Sequence, residues 1–255
     1  MNSKLFAATL LAFSTAIGNA QTLNDMWNTV KTNSTTIINT TTNTINGTSA
    51  TPTLTNDEVI KGLKEALSVG TNNSSSNASK VDGYLKNAKL FIPWPAEAQQ
   101  MKTKLIQLGY QSKVTEFETS LNRAAEEAAK SAAPIFVDAI TGMSIGDGFA
   151  ILKGSDTAAT HYLREKTYAP LKQKFMPTVN QAISKVKVTS YWTPLVTIYN
   201  KIPGVKKQNP DLNDYVCTKA VNGLMVLIAD EETKIRKDPM ARVTDLLKKV
   251  FGAKK

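Results

Sequence analysis

The sequence predicts an all-α protein: an orthogonal bundle of about eight to ten helices over residues 56–255, preceded by a signal peptide (1–20) and a disordered Asn/Thr-rich segment (21–55). Three observations carry that expectation. Apolar residues recur at three- and four-residue intervals from Asn56 onward, as one face of a helix requires. Helix-starting and helix-stopping residues punctuate these stripes. No alternating run bounded by hairpin turns occurs, and no internal repeat is detectable.

The first twenty residues carry one charge, Lys4, then an apolar run from Leu5 to Ile17 and the small residues Gly18 and Ala20 around Asn19. A run of about a dozen apolar residues is too short to span a bilayer, and the pattern is that of a secretory signal cleaved after Ala20. No Cys near the cleavage point could take a lipid anchor, so the expected address is the periplasm or the extracellular space. Residues 21–55 hold 13 Thr and 6 Asn, with Asp25 and Lys31 their only charges. So few large apolar side chains cannot offset the entropy of ordering, although Leu23, Met26, Trp27 and Val30 have helical spacing.

The first helix of the bundle places Val59, Ile60, Leu63 and Leu67 on one face, with Asp57 and Glu58 in its first turn and Gly70 at its end. TNNSSSNAS then reads as a loop. Ile92-Pro93-Trp94-Pro95 is extended, because a residue before proline is pushed out of the α region, and Pro95 opens a helix that ends near Leu108-Gly109. Val114, Phe117, Leu121, Ala125, Ala128 and Ala132 line the next helix, which Pro134 interrupts. Ile135 to Met143 is a short apolar helix, and Ser144-x-x-Asp147 opens another in capping-box fashion, closed by Gly154. Ser155 caps the helix after it; Thr167 starts a further segment that Pro177 bends or restarts. Tyr191 to Tyr199 is a short helix. From Asp211 to about Lys237 runs a long stripe through Leu224, Leu227, Ile228 and Ile235, and Asp238-Pro239 starts the final helix through Val243, Leu247 and Val250.

One Cys and one His exclude an intramolecular disulfide, a cysteine-built zinc site and a multi-histidine metal centre. Nothing in the sequence requires a cofactor. The formal charge of +10, or +9 without Lys4, would meet anionic lipid headgroups, acidic polysaccharide or extracellular DNA in the envelope. The basic residues are spread along the chain, apart from Lys248-Lys249 and Lys254-Lys255, and no aromatic-interleaved basic stretch marks a nucleic-acid site.

Four blocks in order, TNDEVIKGLKEALSVGT, SLNRAAEEAA, IGDGFAILKGSDTAATHYLREKT and NPDLNDYVCTKAVNGLMVLIADEETKIRKDPMARVTDLLKKVF, resemble the domain-of-unknown-function 4197 family over roughly residues 54–253. The resemblance implies a secreted or periplasmic bacterial all-α domain and supplies no mechanism. His161 and Cys217 fall at positions the family pattern leaves open. Asn122, Arg123, Glu126, Asp147, Thr160, Tyr162, Thr167, Asn209, Asp211, Tyr215, Glu231, Glu232, Arg236, Asp238 and Arg242 match it.

Glu231 continues the stripe of Leu224, Leu227 and Ile228 and so points where apolar side chains point; a carboxylate there needs a partner, and Arg123, Arg236 and Arg242 are available. These charges either form a buried ion pair that fixes how the C-terminal helices meet the Asn122-Arg123 helix, or line a pocket whose guanidinium groups grip an anionic ligand. Glu126 and Glu231 as a glycosidase-like pair is a further reading. His161, with Glu165 one turn on and no Gly-x-Ser-x-Gly elbow, reads as a surface histidine, and Cys217 as a small core residue. Asn209, Asp211, Asn213 and Asp214 cluster oxygens without the EF-hand glycine and distant glutamate, which Asp211 as an N-cap explains equally well.

The sequence therefore points to a non-enzymatic envelope module that binds an amphiphilic ligand or protein partner, with Arg123, Glu126, Glu231, Arg236 and Arg242 as candidate ligand-binding residues and with anionic lipid, polysaccharide or an envelope protein as candidate partners. The alternatives are a carboxylate-dependent hydrolase of an envelope polymer and a self-associating structural protein.

Overall fold

A computed structural model describes residues 54–209 and 211–252, and these form nine α-helices and two 3-10 turns with no strand among them. The signal peptide expected at residues 1–20 lies outside the described residues, as does the Asn/Thr-rich segment expected at 21–55 apart from its last two residues, Leu54 and Thr55. The helices are α1 (Asn56–Ala78), α2 (Gln99–Gln107), α3 (Gln111–Ala129), α4 (Ala132–Gly142), α5 (Gly148–Leu152), α6 (Ala158–Lys185), α7 (Val188–Asn200), α8 (Asn213–Lys237) and α9 (Asp245–Gly252). α8 packs against both α1 and α6, which makes it the axis of the domain. No helix among the described residues is long and apolar enough to cross a membrane.

α1 starts with a complete capping box, in which Thr55 Oγ1 accepts from Glu58 N and the Glu58 carboxylate accepts from Thr55 N. It does not end at Gly70. The expected loop TNNSSSNAS is helical through Ala78, because Thr71, Ser74, Ser75 and Ala78 continue the buried face in small residues, and Ser75 Oγ donates to Ala129 O at 2.6 Å. Gly70 is a crossing point rather than a stop: a side chain there would begin 3.2 Å from Glu231 Cβ on α8.

Beyond α1 the chain turns through Asp82, at φ +69°, into the extended segment 91–95. Trp94 is buried there in an aromatic cluster with Phe117 and Trp192, ring centroids 4.8 and 5.3 Å away. Pro95 precedes a 3-10 turn that leads into α2, and Gly109 follows that helix at φ +85°, as the sequence suggested. The small-residue helix α3 ends at Ala129, and Pro134 lies in the first turn of α4, where a missing N–H costs nothing.

Four junctions differ from expectation. Ser144 is not a cap; Asp147 caps α5, accepting from Ala150 N at 2.9 Å, while Ser144 O accepts from the Tyr162 hydroxyl. α6 does not restart at Thr167 or Pro177. It runs unbroken past Pro170 and Pro177, because Leu163, Thr167, Leu171, Phe175 and Val179 form a buried ladder spanning both prolines, whose rings lie on the exposed side. Asp238-Pro239 opens only a 3-10 turn, with Asp238 accepting from Met240 N; α9 begins afresh at Asp245, and Val243 is exposed rather than part of its buried stripe. At the start of α8 the cap position is Leu212, and Asp211 accepts from Asn213 N beside it.

Candidate functional site

The buried carboxylate of α8 is Glu232, one residue beyond the expected Glu231. Leu224, Ile228, Glu232 and Ile235 descend one face at helical spacing, which carries Glu232 under the N-terminus of α6. That terminus has no side-chain cap of its own. Glu232 supplies one from another helix: Ala159 N donates to Oε1 at 3.0 Å, and Thr160 N and Thr160 Oγ1 donate to Oε2 at 2.7 Å each. Arg236, one turn on, donates Nε to Glu232 Oε1 at 2.8 Å and its terminal nitrogens to Leu152 O and Ile151 O at the end of α5. One buried ion pair thus closes the positive end of α6 and the negative end of α5. Arg242 performs the same service for α8, donating to Ile235 O at 2.9 Å and Arg236 O at 3.0 Å.

Arg123 and Glu126 stand elsewhere, on α3. Glu126, 4% exposed, accepts from Tyr84 N and Leu85 N at 3.1 Å each through Oε1, and from Arg123 Nη1 at 2.6 Å through Oε2. Arg123 Nη2 donates to Asp82 Oδ1 at 2.7 Å, holding the residue in left-handed conformation. Asn122 completes the set by accepting from Ile92 N at 2.8 Å and donating to Ile92 O at 3.0 Å, so it reads the extended backbone on both its groups. The ion pair expected between the C-terminal helices and this one is therefore absent: Glu231 meets none of Arg123, Arg236 and Arg242, and the five candidate residues fall into three places.

Glu231 lies in the third. Its carboxylate pairs with Lys234 one turn on and accepts from Asn73 Nδ2 at 2.8 Å. It borders a cleft of about 310 Å³ between α1 and α8, which is also lined by Ser74, Lys89, Leu227, Asp230 and Lys234. Lys89 and Asp230 pair across it at 2.6 Å. Ser74 is 1% exposed and its hydroxyl has no hydrogen-bond partner in the protein. Native proteins leave few buried hydroxyls unpaired. Sequence reading misses Ser74 and Asn73 because so polar a run has the composition of a loop; the spacing Leu67, Thr71, Ser74, Ala78 is the available signal.

The remaining candidates resolve simply. His161 is exposed on α6. Cys217 is fully buried, its thiol against Lys172 O, and burial pushes its pKa up to about 11, the reverse of an activated nucleophile. Before α8, Asn209 and Asp211 accept from backbone amides, and in its first turn Asp214 pairs with Lys172 at 2.7 Å. Among the described residues no group of three or more His, Cys, Asp or Glu side chains is placed to hold a metal ion.

No curated protein and no solved structure matches the chain. A family model does, over residues 53–252, nearly the whole of the helical domain and all the polar positions described above. The chain belongs to the family described as protein of unknown function (DUF4197).

Proposed function

We propose that this is a non-enzymatic binding module of the cell envelope, exported by its N-terminal leader and released after Ala20, that takes a small amphiphilic ligand in the cleft between α1 and α8. The observation that carries the reading is the cleft itself: two ammonium and two carboxylate groups that line it together with Leu227 and the small residue Ser74. Binding sites are concave, partly apolar and furnished with a few polar groups. The carboxylate-hydrolase reading gains no such support. Glu126 has its oxygens committed to two backbone amides and a guanidinium, and Glu231 is held by Lys234 and Asn73.

The test is native against denaturing mass spectrometry of the exported protein, isolated gently from a bacterial periplasm. Additional mass in the native spectrum alone, lost when Ser74 is replaced by a bulkier leucine, is the expected result. A bare chain in both spectra counts against a ligand, and a bare oligomer would turn the reading toward self-assembly.

A further inference from the structure

The cleft between α1 and α8 has a charge pattern that selects among small ligands. It presents two ammonium groups, Lys89 and Lys234, and two carboxylates, Asp230 and Glu231, and Ser74 and Leu227 also line it. Its local charge is therefore balanced, each ammonium resting on a carboxylate: Lys89 on Asp230 and Lys234 on Glu231. A simple anion entering it would be drawn to the lysines and repelled by the carboxylates a few ångströms away, and a simple cation would suffer the converse. A molecule carrying both charges meets each with its opposite.

The internal pairs do not block this. Lys89 and Lys234 are 60% and 61% exposed, so swinging either ammonium toward a ligand gives up only a surface ion pair. An ammonium has three donors and a carboxylate about four acceptor sites, so each can keep one partner and take another. Glu231 is different: it is 13% exposed and anchored by Asn73, a fixed acceptor rather than a flexible one. The volume is at the small end of ligand sites, the size of an amino acid or a dipeptide rather than a lipid or an oligosaccharide.

We infer that the cleft binds a small zwitterion, an amino acid or dipeptide, with the ligand's ammonium on Glu231 and Asp230, its carboxylate on Lys89 and Lys234, and its aliphatic part on Leu227. This rests on the binding reading above and names the ligand class for the same site.

Isothermal titration of the whole chain with the free dipeptide Ala-Leu, its N-acetylated form and its C-terminal amide tests it. The free dipeptide is expected to bind, and capping either end to weaken binding by about tenfold or more, the loss of one charge-assisted hydrogen bond. Glu231→Gln, on a chain whose melting temperature is unchanged, should weaken the free dipeptide and remove its advantage over the acetylated one. Lys234→Gln should do the same for the amide. Equal binding of the free and capped forms overturns the zwitterion. No dipeptide binding by a chain that still retains a small molecule in native mass spectra overturns the zwitterion and leaves the binding reading standing; loss of both overturns both.

Discussion

Removing the Glu232 carboxylate would leave the Arg236 guanidinium, 4% exposed, buried without its counter-charge and the first amides of α6 without acceptors. Breaking a buried pair from one side costs about 3–5 kcal/mol, so Glu232→Ala should lose that much in urea unfolding, with the slope unchanged. Glu231→Gln should lose less than about 1 kcal/mol, since the Lys234 ammonium it pairs with is largely solvated. Equal losses at the two positions would show that the α1–α8 cleft is held together by its charges and is not a free site. These adjacent glutamates also mark how far a sequence can be read. Both lie within the buried side of α8, and periodicity cannot choose between them, because α8 packs on α1 with one flank and on α6 with the other. What decides is a partner 72 residues away in sequence, the uncapped start of α6. The need for a paired carboxylate on α8 was legible; the identity of its partners was not, since backbone amides and carbonyls carry no residue signature.

At the scale of the element, α6 contains a testable tension. Pro170 and Pro177 cannot donate to the carbonyls four residues before them, yet 28 residues remain helical because the ladder from Leu163 to Val179 is buried on the opposite side. An alanine at position 177 restores the missing N–H and touches no core packing. Pro177→Ala should therefore raise stability by about 1 kcal/mol, less than the full helix cost of proline because the unfolded chain also gains freedom; a lower melting temperature would mean that the proline serves a surface. The turn after α1 tests the opposite case. A side chain on Gly83 would begin 2.5 Å from Ala78 O and 2.7 Å from Asn77 O, backbone atoms that end a packed helix. Gly83→Ala should cost about 1–3 kcal/mol by thermal unfolding, as forced overpacking does. Helix existence was legible throughout from apolar spacing and caps, whereas helix ends were missed wherever tertiary burial outweighed local preference: a polar TNNSSSN run that stays helical because its small residues face α3 and α8, and a proline that does not stop α6.

For the molecule as a whole, the stability profile with pH should have two limbs of different physical origin. Glu58, Asp82 and Glu127 titrate below their ordinary 4.5, 3.8 and 4.5, held charged chiefly by hydrogen bonds from Lys249, Lys86 and Lys130 respectively, with Arg123 also on Asp82 and Lys185 also on Glu127. With folded values depressed, the unfolded chain takes up protons first as pH falls, so the stability these pairs contribute is present above about pH 5 and lost progressively below it. At the other end burial raises Cys217 from 9.0 to about 11 and Tyr215 from 10.0 to about 12, and it drives the wholly buried Tyr84 phenol upward as well. Here the unfolded chain loses protons first, so stability is present below about pH 9 and falls as pH rises beyond it. Salt separates the two. The acid limb depends on pairs whose lysines lie in solvent, where added ions screen them, whereas the alkaline limb depends on desolvation, which ions do not reach. High salt should therefore flatten the acid limb of a urea-midpoint profile and leave the alkaline limb in place, while Cys217→Ala should flatten only the alkaline limb. A Cys217 thiol that reacts with a disulfide reagent in the native protein at pH 8 would sink this account, because it would show that the core around α6 and α8 opens without global unfolding.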